Sequence, residues 1–206
     1  MKLYTAPYAP NPRRVIMFMA EKQIRDIEFA VIDLTKGEHR APDFRAISPL
    51  SQVPALVLDD GRVLTESRAI CAYLEALYPA PNLMGADAEA RAFIEMWDRR
   101  MEQLVFTQLM MWVRHGSPAL AAVERNQSPD MAEFFRNNAM QALVWLDREL
   151  ANRPWIAGDQ FSIADITAAC GVDFAKLMKW RPGDKLPNLQ RWRAALDERP
   201  AGKAPA

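Results

Sequence analysis

The sequence predicts two domains of different class, an α/β N-terminal domain (βαβ-ββα) followed by an all-α C-terminal helical bundle domain. Three observations support this prediction. Short apolar segments of strand character surround two helical patterns in residues 2–78, a stretch containing proline and glycine follows at 80–86, and the apolar residues beyond it recur at helical steps of three, four and seven. The predicted boundaries are 1–79 for the first domain, 80–86 for the linker and 87–206 for the helical domain.

The first domain opens with a strand, a helix and a second strand. Lys2–Tyr4 begins the first strand. Asn11 and Pro12 are expected to be the N-cap and the first helical residue of a helix that runs to about Lys22, since both residue types are favoured at those positions. The Phe, Val and Ile content of Ile27–Leu34 suits a strand. A crossover helix between two strands makes them parallel.

A hairpin and a helix complete the first domain. Asp59–Gly61 separates two apolar segments, 55–58 and 62–64, and Asp-Gly between such segments is a strong hairpin signal. A helical pattern then runs to Tyr78. The resulting order, with 35–51 as a connecting segment, is the thioredoxin-like arrangement.

The second domain is predicted to be helical throughout. A long helix is expected over about 86–115 and a second over about 130–150. Ser162 and Asp165 form a capping-box-like entry to a buried helix and are interpreted as structural residues. A last helix starts near Pro187, and the C-terminal tail is expected to be loose.

The charge balance, the cysteine count and the length of the apolar runs limit the classes of function that this chain can have. Lys plus Arg equals Asp plus Glu, 26 each, so the charge balance does not support binding to nucleic acid or to anionic membranes. The two cysteines fit neither a metal-ligand spacing nor a disulfide framework, so no metal is expected. The longest early apolar run, Val15–Ala20, is too short for a signal segment or a membrane span, which predicts a cytoplasmic protein.

Two tripeptides point to a family. Gln52-Val53-Pro54 and Glu66-Ser67-Arg68, at their spacing in this chain, resemble the glutathione-binding half of the glutathione transferase superfamily, and the resemblance extends over nearly the whole chain. It implies a detoxification enzyme that takes glutathione as co-substrate and a small hydrophobic electrophile as second substrate. It also implies a homodimer.

The resemblance assigns the backbone and the glycyl end of glutathione. Gln52-Val53-Pro54 is similar to the cis-proline strand entry of the family, so the Val53–Pro54 bond is expected to be cis. The Val53 backbone then pairs with the cysteinyl segment in the manner of an added strand. Gln52 and His39 are expected to reach the glycyl end, with a solvated loop histidine as the alternative for His39.

The γ-glutamyl end is assigned to the second tripeptide, Glu66-Ser67-Arg68, which looks like the γ-glutamyl-binding turn of the family. Ser67 offers its N–H and hydroxyl to the carboxylate at a helix N-terminus, and Glu66 is the anion for the ammonium. Arg68 belongs to the same turn. Ordinary N-terminal helix chemistry is the alternative for Glu66 and Ser67.

The thiol of glutathione needs a partner that stabilises its thiolate. A thiol ionises near pH 8.5, and lowering that pKa by ~2 requires ~2.7 kcal/mol. The serine-type pattern of the family places Ala9 where many members have a serine, so three donors remain: Asn11, the Tyr8 hydroxyl and Thr5. Asn11 is favoured as the catalytic residue because it lies at the helix start, with Tyr8 next. A plain capping role for Asn11 stays open.

The second-substrate pocket is expected to involve Tyr8 together with Met101, Gln108 and Trp112 of the long helix. These three share a helical face with core residues, so a core role is the alternative. Three functions are consistent with these patterns: a glutathione transferase, a glutathione-dependent disulfide or peroxide reductase, and a non-catalytic glutathione- or protein-binding member of the fold. The transferase is favoured, and the missing loop cysteine argues against glutaredoxin-type chemistry.

Overall fold

The computed structural model describes residues 1–183 and 185–205. The chain divides into two compact units. One is Met1–Pro81 together with the tail from Ala204, and the other is Asn82–Lys203. The boundary at Pro81 falls inside the predicted linker, 80–86. None of the described helices is long and apolar enough to cross a membrane.

The N-terminal unit is a four-stranded mixed sheet with helices. Its sheet order is β2-β1-β3-β4, with β1 and β2 parallel and the other two pairs antiparallel. This βαβ-ββα order confirms the predicted fold class. The strands are β1 (Lys2–Thr5), β2 (Glu28–Val31), β3 (Ala55–Val57) and β4 (Val63–Thr65), and the helices are α1 (Pro10–Glu21), α2 (Pro42–Ile47) and α3 (Ser67–Leu77).

The sheet separates two packed layers because successive side chains of a strand point to opposite faces. Leu3 is fully buried, whereas the ring of its neighbour Tyr4 contacts Phe44 of α2, with ring centroids 5.7 Å apart. Helices α1 and α3 pack against each other, and their buried side chains include Phe18 and Leu74. Helix α2 lies within 35–51, which the sequence predicts to be a connecting segment.

Helix α1 begins earlier than the sequence predicts. Its N-cap is Ala9, without a side-chain cap bond, and Pro10 is the first helical residue. The expectation that Asn11 is the N-cap is therefore wrong. Two prolines are tolerated in this first turn because the first four N–H groups of a helix have no intrahelical partner. The side chain of Asn11 is thus free for another role.

The second unit is helical. Its helices are α4 (Ala88–Arg100), α5 (Thr107–Gly116), α6 (Pro129–Glu149), α7 (Ile163–Phe174), α8 (Pro187–Asp197) and α9 (Pro200–Lys203), and a π-helical turn, Met101–Phe106, joins α4 to α5. The predicted long helix is therefore one continuous run with a wide turn inside it. The turn packs closely against α7, because a Cβ on Gly171 would lie 2.9 Å from the Phe106 Cα.

The C-terminal tail contacts the first unit. Arg13 Nη1 donates to the carbonyl oxygens of Ala204 and Pro205, at 3.3 and 2.9 Å. The expectation of a loose tail is wrong for these two residues, because α1 presents a guanidinium to their carbonyl groups. Ala206, the end of that predicted tail, lies outside the described residues.

Candidate functional site

Three segments of the N-terminal unit meet at one end of its sheet. Pairing of β1 with β3 ends with Tyr4 opposite Ala55, and pairing of β3 with β4 ends with Ala55 opposite Thr65. Three segments therefore lie at the same end of the sheet: the loop into α1, the residues before β3 and the entry to α3. Val53 lies two residues before Ala55 and Ser67 lies two residues after Thr65, so both are close to this end of the sheet. Residues far apart in sequence are thereby brought together.

The strand entry before β3 leaves Val53 outside the paired part of the sheet. The Val53–Pro54 peptide bond is cis in the structure, the isomer that the resemblance implies. Val53 is half-buried and lies beyond the paired part of β3, while Gln52 is exposed. Ser48 fixes the turn before it: its hydroxyl donates to the Gln52 carbonyl oxygen at 2.9 Å and accepts from the Gln52 N–H at 3.2 Å.

The turn into α3 is strained and has a buried hydroxyl next to it. Glu66 is exposed and has a φ of 64° and a ψ of 113°. A non-glycine residue with positive φ is unfavourable, and such strain is concentrated at functional sites. Ser67 is the first residue of α3 and is only 4% exposed. Arg68 follows it and is half-buried. The first-turn N–H groups of α3 are suited to an anion.

A hydrogen-bonded chain joins α1 to this turn. Arg14 Nη1 donates to Ser67 Oγ at 3.0 Å, and Ser67 Oγ donates to Asn11 Oδ1 at 3.4 Å. Arg14 is 1% exposed, so its guanidinium lies within the unit. Asn11 on α1 is therefore linked directly to Ser67 at the turn into α3, and both are residues predicted from sequence.

The other candidate donors for the thiol lie around the same loop. Tyr8 has a φ of 62° and is 72% exposed, so its ring projects from the loop. Thr5 is 5% exposed, and within the described part of the chain its Oγ1 has no hydrogen-bond partner. Ala9, which the resemblance aligns with the family serine, is the N-cap of α1.

His39 lies on a 3₁₀ turn, Glu38–Arg40, ahead of α2. It is buried, which contradicts the alternative of a solvated loop histidine, and burial, with a smaller effect from Arg40, lowers the pKa of its imidazole below the usual value. No hydrogen bond among the described residues joins it to Asn11 or Ser67. Its assignment to the glycyl end stays a prediction.

The residues predicted for the second-substrate pocket differ in exposure. Met101 is fully buried at the start of the π-helical turn, and Trp112 of α5 is 6% exposed. Gln108 is half-buried and opens on a groove of about 300 Å³, where it accepts a hydrogen bond from Asn138 of α6 at 3.3 Å. The groove is lined by Leu104, Gln108, Asn138, Gln141, Ala142 and Trp145. Met101 and Trp112 do not line it, and pocket membership stays a prediction for all three.

Sequence reasoning missed two residues of the N-terminal site, Ser48 and Arg14. Ser48 precedes a proline in a segment interpreted as a connection, and a serine there resembles many turn serines. Arg14 is adjacent to a second arginine on a helix, where the usual expectation is exposure. Helical spacing could have indicated that Arg14 is buried, because Arg14 and Phe18 lie four residues apart on one face of α1.

Among the described residues, no group of three or more His, Cys, Asp or Glu side chains could hold a metal ion.

Comparison with known proteins covers both units. The family profile described as Glutathione S-transferase, N-terminal domain, matches residues 8–77, and the profile described as Glutathione S-transferase, C-terminal domain, matches residues 110–200. The chain is 34% identical to Glutathione S-transferase 2 of Saccharomyces cerevisiae, over 98% of this chain and 88% of that protein.

Solved structures agree with these matches. The crystal structure of Gtt2 from Saccharomyces cerevisiae is similar with a TM-score of 0.92 and 34% identity, over 98% of this chain and 99% of that chain. The structure of human glutathione transferase theta-2, a complex with glutathione and an unknown ligand, is similar with a TM-score of 0.84 and 27% identity. That match covers 95% of this chain and 80% of the human chain.

Proposed function

This chain belongs to the glutathione S-transferase superfamily and is a glutathione transferase, and from this premise we propose that its N-terminal unit holds glutathione and lowers the pKa of its thiol. The observation that supports this most is the buried Ser67 at the first residue of α3, with its hydroxyl held by Arg14. An anionic ligand group at that point receives N–H donors, a hydroxyl and the positive end of the helix dipole.

The binding mode follows the three converging segments. The γ-glutamyl carboxylate lies at Ser67, and its ammonium is paired with the exposed Glu66, with Arg68 in the same turn. The cysteinyl backbone lies along Val53, which the strand pairing of the described residues does not reach, so that an added strand can bond to its peptide groups.

The glycyl end extends toward Gln52 and His39. A neutral imidazole with a lowered pKa, which His39 has from burial, serves there as a hydrogen-bond partner rather than as a charge. Gln52 is exposed at this point and offers both a donor and an acceptor.

The sulfur then lies near the start of α1, with Asn11 as its first candidate partner and Tyr8 as the second. In the reaction the thiol gives up its proton to solvent water, the thiolate forms a bond to an electrophilic carbon, and the leaving group departs from that carbon with its bonding electron pair. A helix N-terminus and one hydrogen bond together can supply the ~2.7 kcal/mol needed to lower the thiol pKa by ~2.

The remaining features are proposed from membership of the family. The electrophile is small and hydrophobic, and Tyr8, Met101, Gln108 and Trp112 are the residues proposed for its pocket. The protein is proposed to be a cytoplasmic homodimer with a role in detoxification. Reductase chemistry with a thiol of the protein is not favoured, because both cysteines, Cys71 and Cys170, are buried. A reductase that uses only the glutathione thiol remains the alternative.

Calorimetric titration with reduced glutathione, followed by two assays on the same preparation, tests this proposal. The protein is expected to bind glutathione and to conjugate it to a chloronitrobenzene, with a slower reaction toward a small disulfide. Absence of binding at millimolar glutathione would contradict the proposal. Binding with disulfide reduction but without conjugation would instead support the reductase alternative.

A further inference from the structure

Arg14 is a buried charged residue to which the proposed binding mode gives no role. Its guanidinium donates to Ser67 Oγ across 53 residues of sequence, and its side chain is 1% exposed. We infer that Arg14 is a positioning residue that orients the Ser67 hydroxyl toward a ligand carboxylate. This inference rests on the proposed function, because it concerns the γ-glutamyl end of the same site.

The donors and acceptors of the Arg14 and Ser67 side chains determine the direction of the Ser67 hydroxyl proton. A guanidinium has donors only, so Ser67 Oγ must accept from Arg14. A serine hydroxyl has a single proton, which is then directed away from Arg14. In the described structure that proton goes to Asn11 Oδ1 at 3.4 Å, which is long for a hydroxyl donor. A carboxylate oxygen at the entry to α3 is a better acceptor and takes the proton without competition from Arg14.

Arg14 also adds charge of the right sign. Its guanidinium places a positive charge beside the first residue of α3. The N-terminal end of α3 has a partial positive charge of its own. Both favour an anion over a neutral group, so the pair Arg14–Ser67 is expected to select a carboxylate against its carboxamide.

Arg13 provides a matched comparison on the same helix. It is the next residue in sequence and has the same charge, but its guanidinium donates to the carbonyl oxygens of Ala204 and Pro205. The variant Arg13→Met therefore removes a positive charge from α1 but keeps the hydrogen bond between Arg14 and Ser67.

The experiment is a double-mutant cycle read by calorimetry. Glutathione and an analogue whose γ-glutamyl carboxylate is a carboxamide are titrated into the full-length chain and into Arg14→Met, Ser67→Ala, the double variant and Arg13→Met. Arg14→Met and Ser67→Ala are each expected to lose about tenfold in glutathione affinity, the size typical of a hydrogen bond to a charged group. The double variant is expected to lose little more than either one.

Affinity for the carboxamide analogue is expected to stay within about twofold across all variants, because that ligand lacks the charge that the pair selects. Arg13→Met is expected to bind both ligands as the unaltered chain does. A purely structural role of Arg14 would instead weaken both ligands alike. Thermal melting of each variant identifies that case.

Additive losses in the double variant, or unchanged glutathione affinity in Arg14→Met, would overturn the inference. If Arg14→Met does not fold, the cycle is run with Arg14→Lys, which keeps the charge but not the fork of donors, and the same criteria apply. Failure of the unaltered chain to bind glutathione would be a failure of the proposed function, and it is seen before any variant is made.

Discussion

Ser67 is the residue on which the proposed recognition of glutathione depends most. It is 4% exposed, opens α3 and accepts a hydrogen bond from Arg14. Ser67→Ala is expected to weaken glutathione binding by ~1–3 kcal/mol, the usual size of an interaction with a charged partner. Titration calorimetry with reduced glutathione measures this directly.

Ser128→Ala is the control for that variant. Ser128 caps α6, where its hydroxyl accepts from the Met131 N–H at 3.3 Å. Its replacement is expected to lower the free energy of unfolding by ~1 kcal/mol without changing glutathione affinity. Equal affinities of Ser67→Ala and the unaltered chain would remove Ser67 from the site.

Asn11 is the residue proposed to face the sulfur. Asn11→Ala is expected to raise the pKa of the bound thiol, because one donor to the thiolate is lost, and so to shift the pH–rate profile to higher pH. The profile of kcat/KM with a chloronitrobenzene measures that shift. Tyr8→Phe is run beside it, since Tyr8 is the second candidate. A shift in Tyr8→Phe alone would reverse the two assignments.

At the scale of elements, the entry to α7 is organised by one carboxylate. Asp165 accepts from the Ile156 N–H and the Trp192 indole through Oδ1, at 2.9 and 2.8 Å, and from the Ser162 N–H through Oδ2 at 2.9 Å. It is fully buried, and burial raises its pKa to about 6, although these bonds lower it. The predicted structural role of Ser162 and Asp165 is consistent with this geometry.

The raised pKa of Asp165 makes the contribution of this residue to the free energy of unfolding depend on pH. Because the folded state binds the Asp165 proton more tightly than the unfolded chain, the contribution of this group to stability falls as pH rises from about 4 to about 6. The advantage of the unaltered chain over Asp165→Asn in urea unfolding is therefore expected to shrink by about 2 kcal/mol between pH 4 and pH 7.

Asp159→Asn, a change at an exposed residue of the same loop, is the control and is expected to show no such trend. An advantage that grows with pH would mean that the donors to Asp165 outweigh its burial. The folded pKa would then lie below the unfolded value, and the stabilisation would be lost on acidification instead.

The elements that could be predicted are those with local signals. Asp60-Gly61 predicted the hairpin, and Gly61 takes the φ of 84° that its turn requires. Helix α2 was missed because six residues with a proline at the start give too short a periodic pattern. The start of α1 was misplaced because the Asn-Pro pair imitates a cap, whereas Pro10 already fits the first turn.

The site could be predicted only where residues adjacent in sequence form it. Gln52-Val53-Pro54 and Glu66-Ser67-Arg68 are such groups, and the register of β3 with β4 brings them to one end of the hairpin. The contact between Arg14 and Ser67 spans 53 residues and depends on how α1 packs against α3. Periodicity indicates that a face is buried, but it does not identify the residue that the face contacts.

At the scale of the whole molecule, the family predicts that two chains associate. A chain of 23.4 kDa is expected to elute in size-exclusion chromatography with light scattering at about twice that mass. The mass should be independent of dilution over the micromolar range. A species of 23.4 kDa across that range would contradict the proposed homodimer while leaving the glutathione site untouched.

The most direct test of the proposed chemistry is a crystal structure of this chain soaked with reduced glutathione. The γ-glutamyl carboxylate is expected within hydrogen-bond distance of the Ser67 N–H and hydroxyl, the cysteinyl backbone alongside Val53, and the sulfur near the first turn of α1. Glutathione bound with its carboxylate away from Ser67, or a site without glutathione at millimolar concentration, would contradict the central claim.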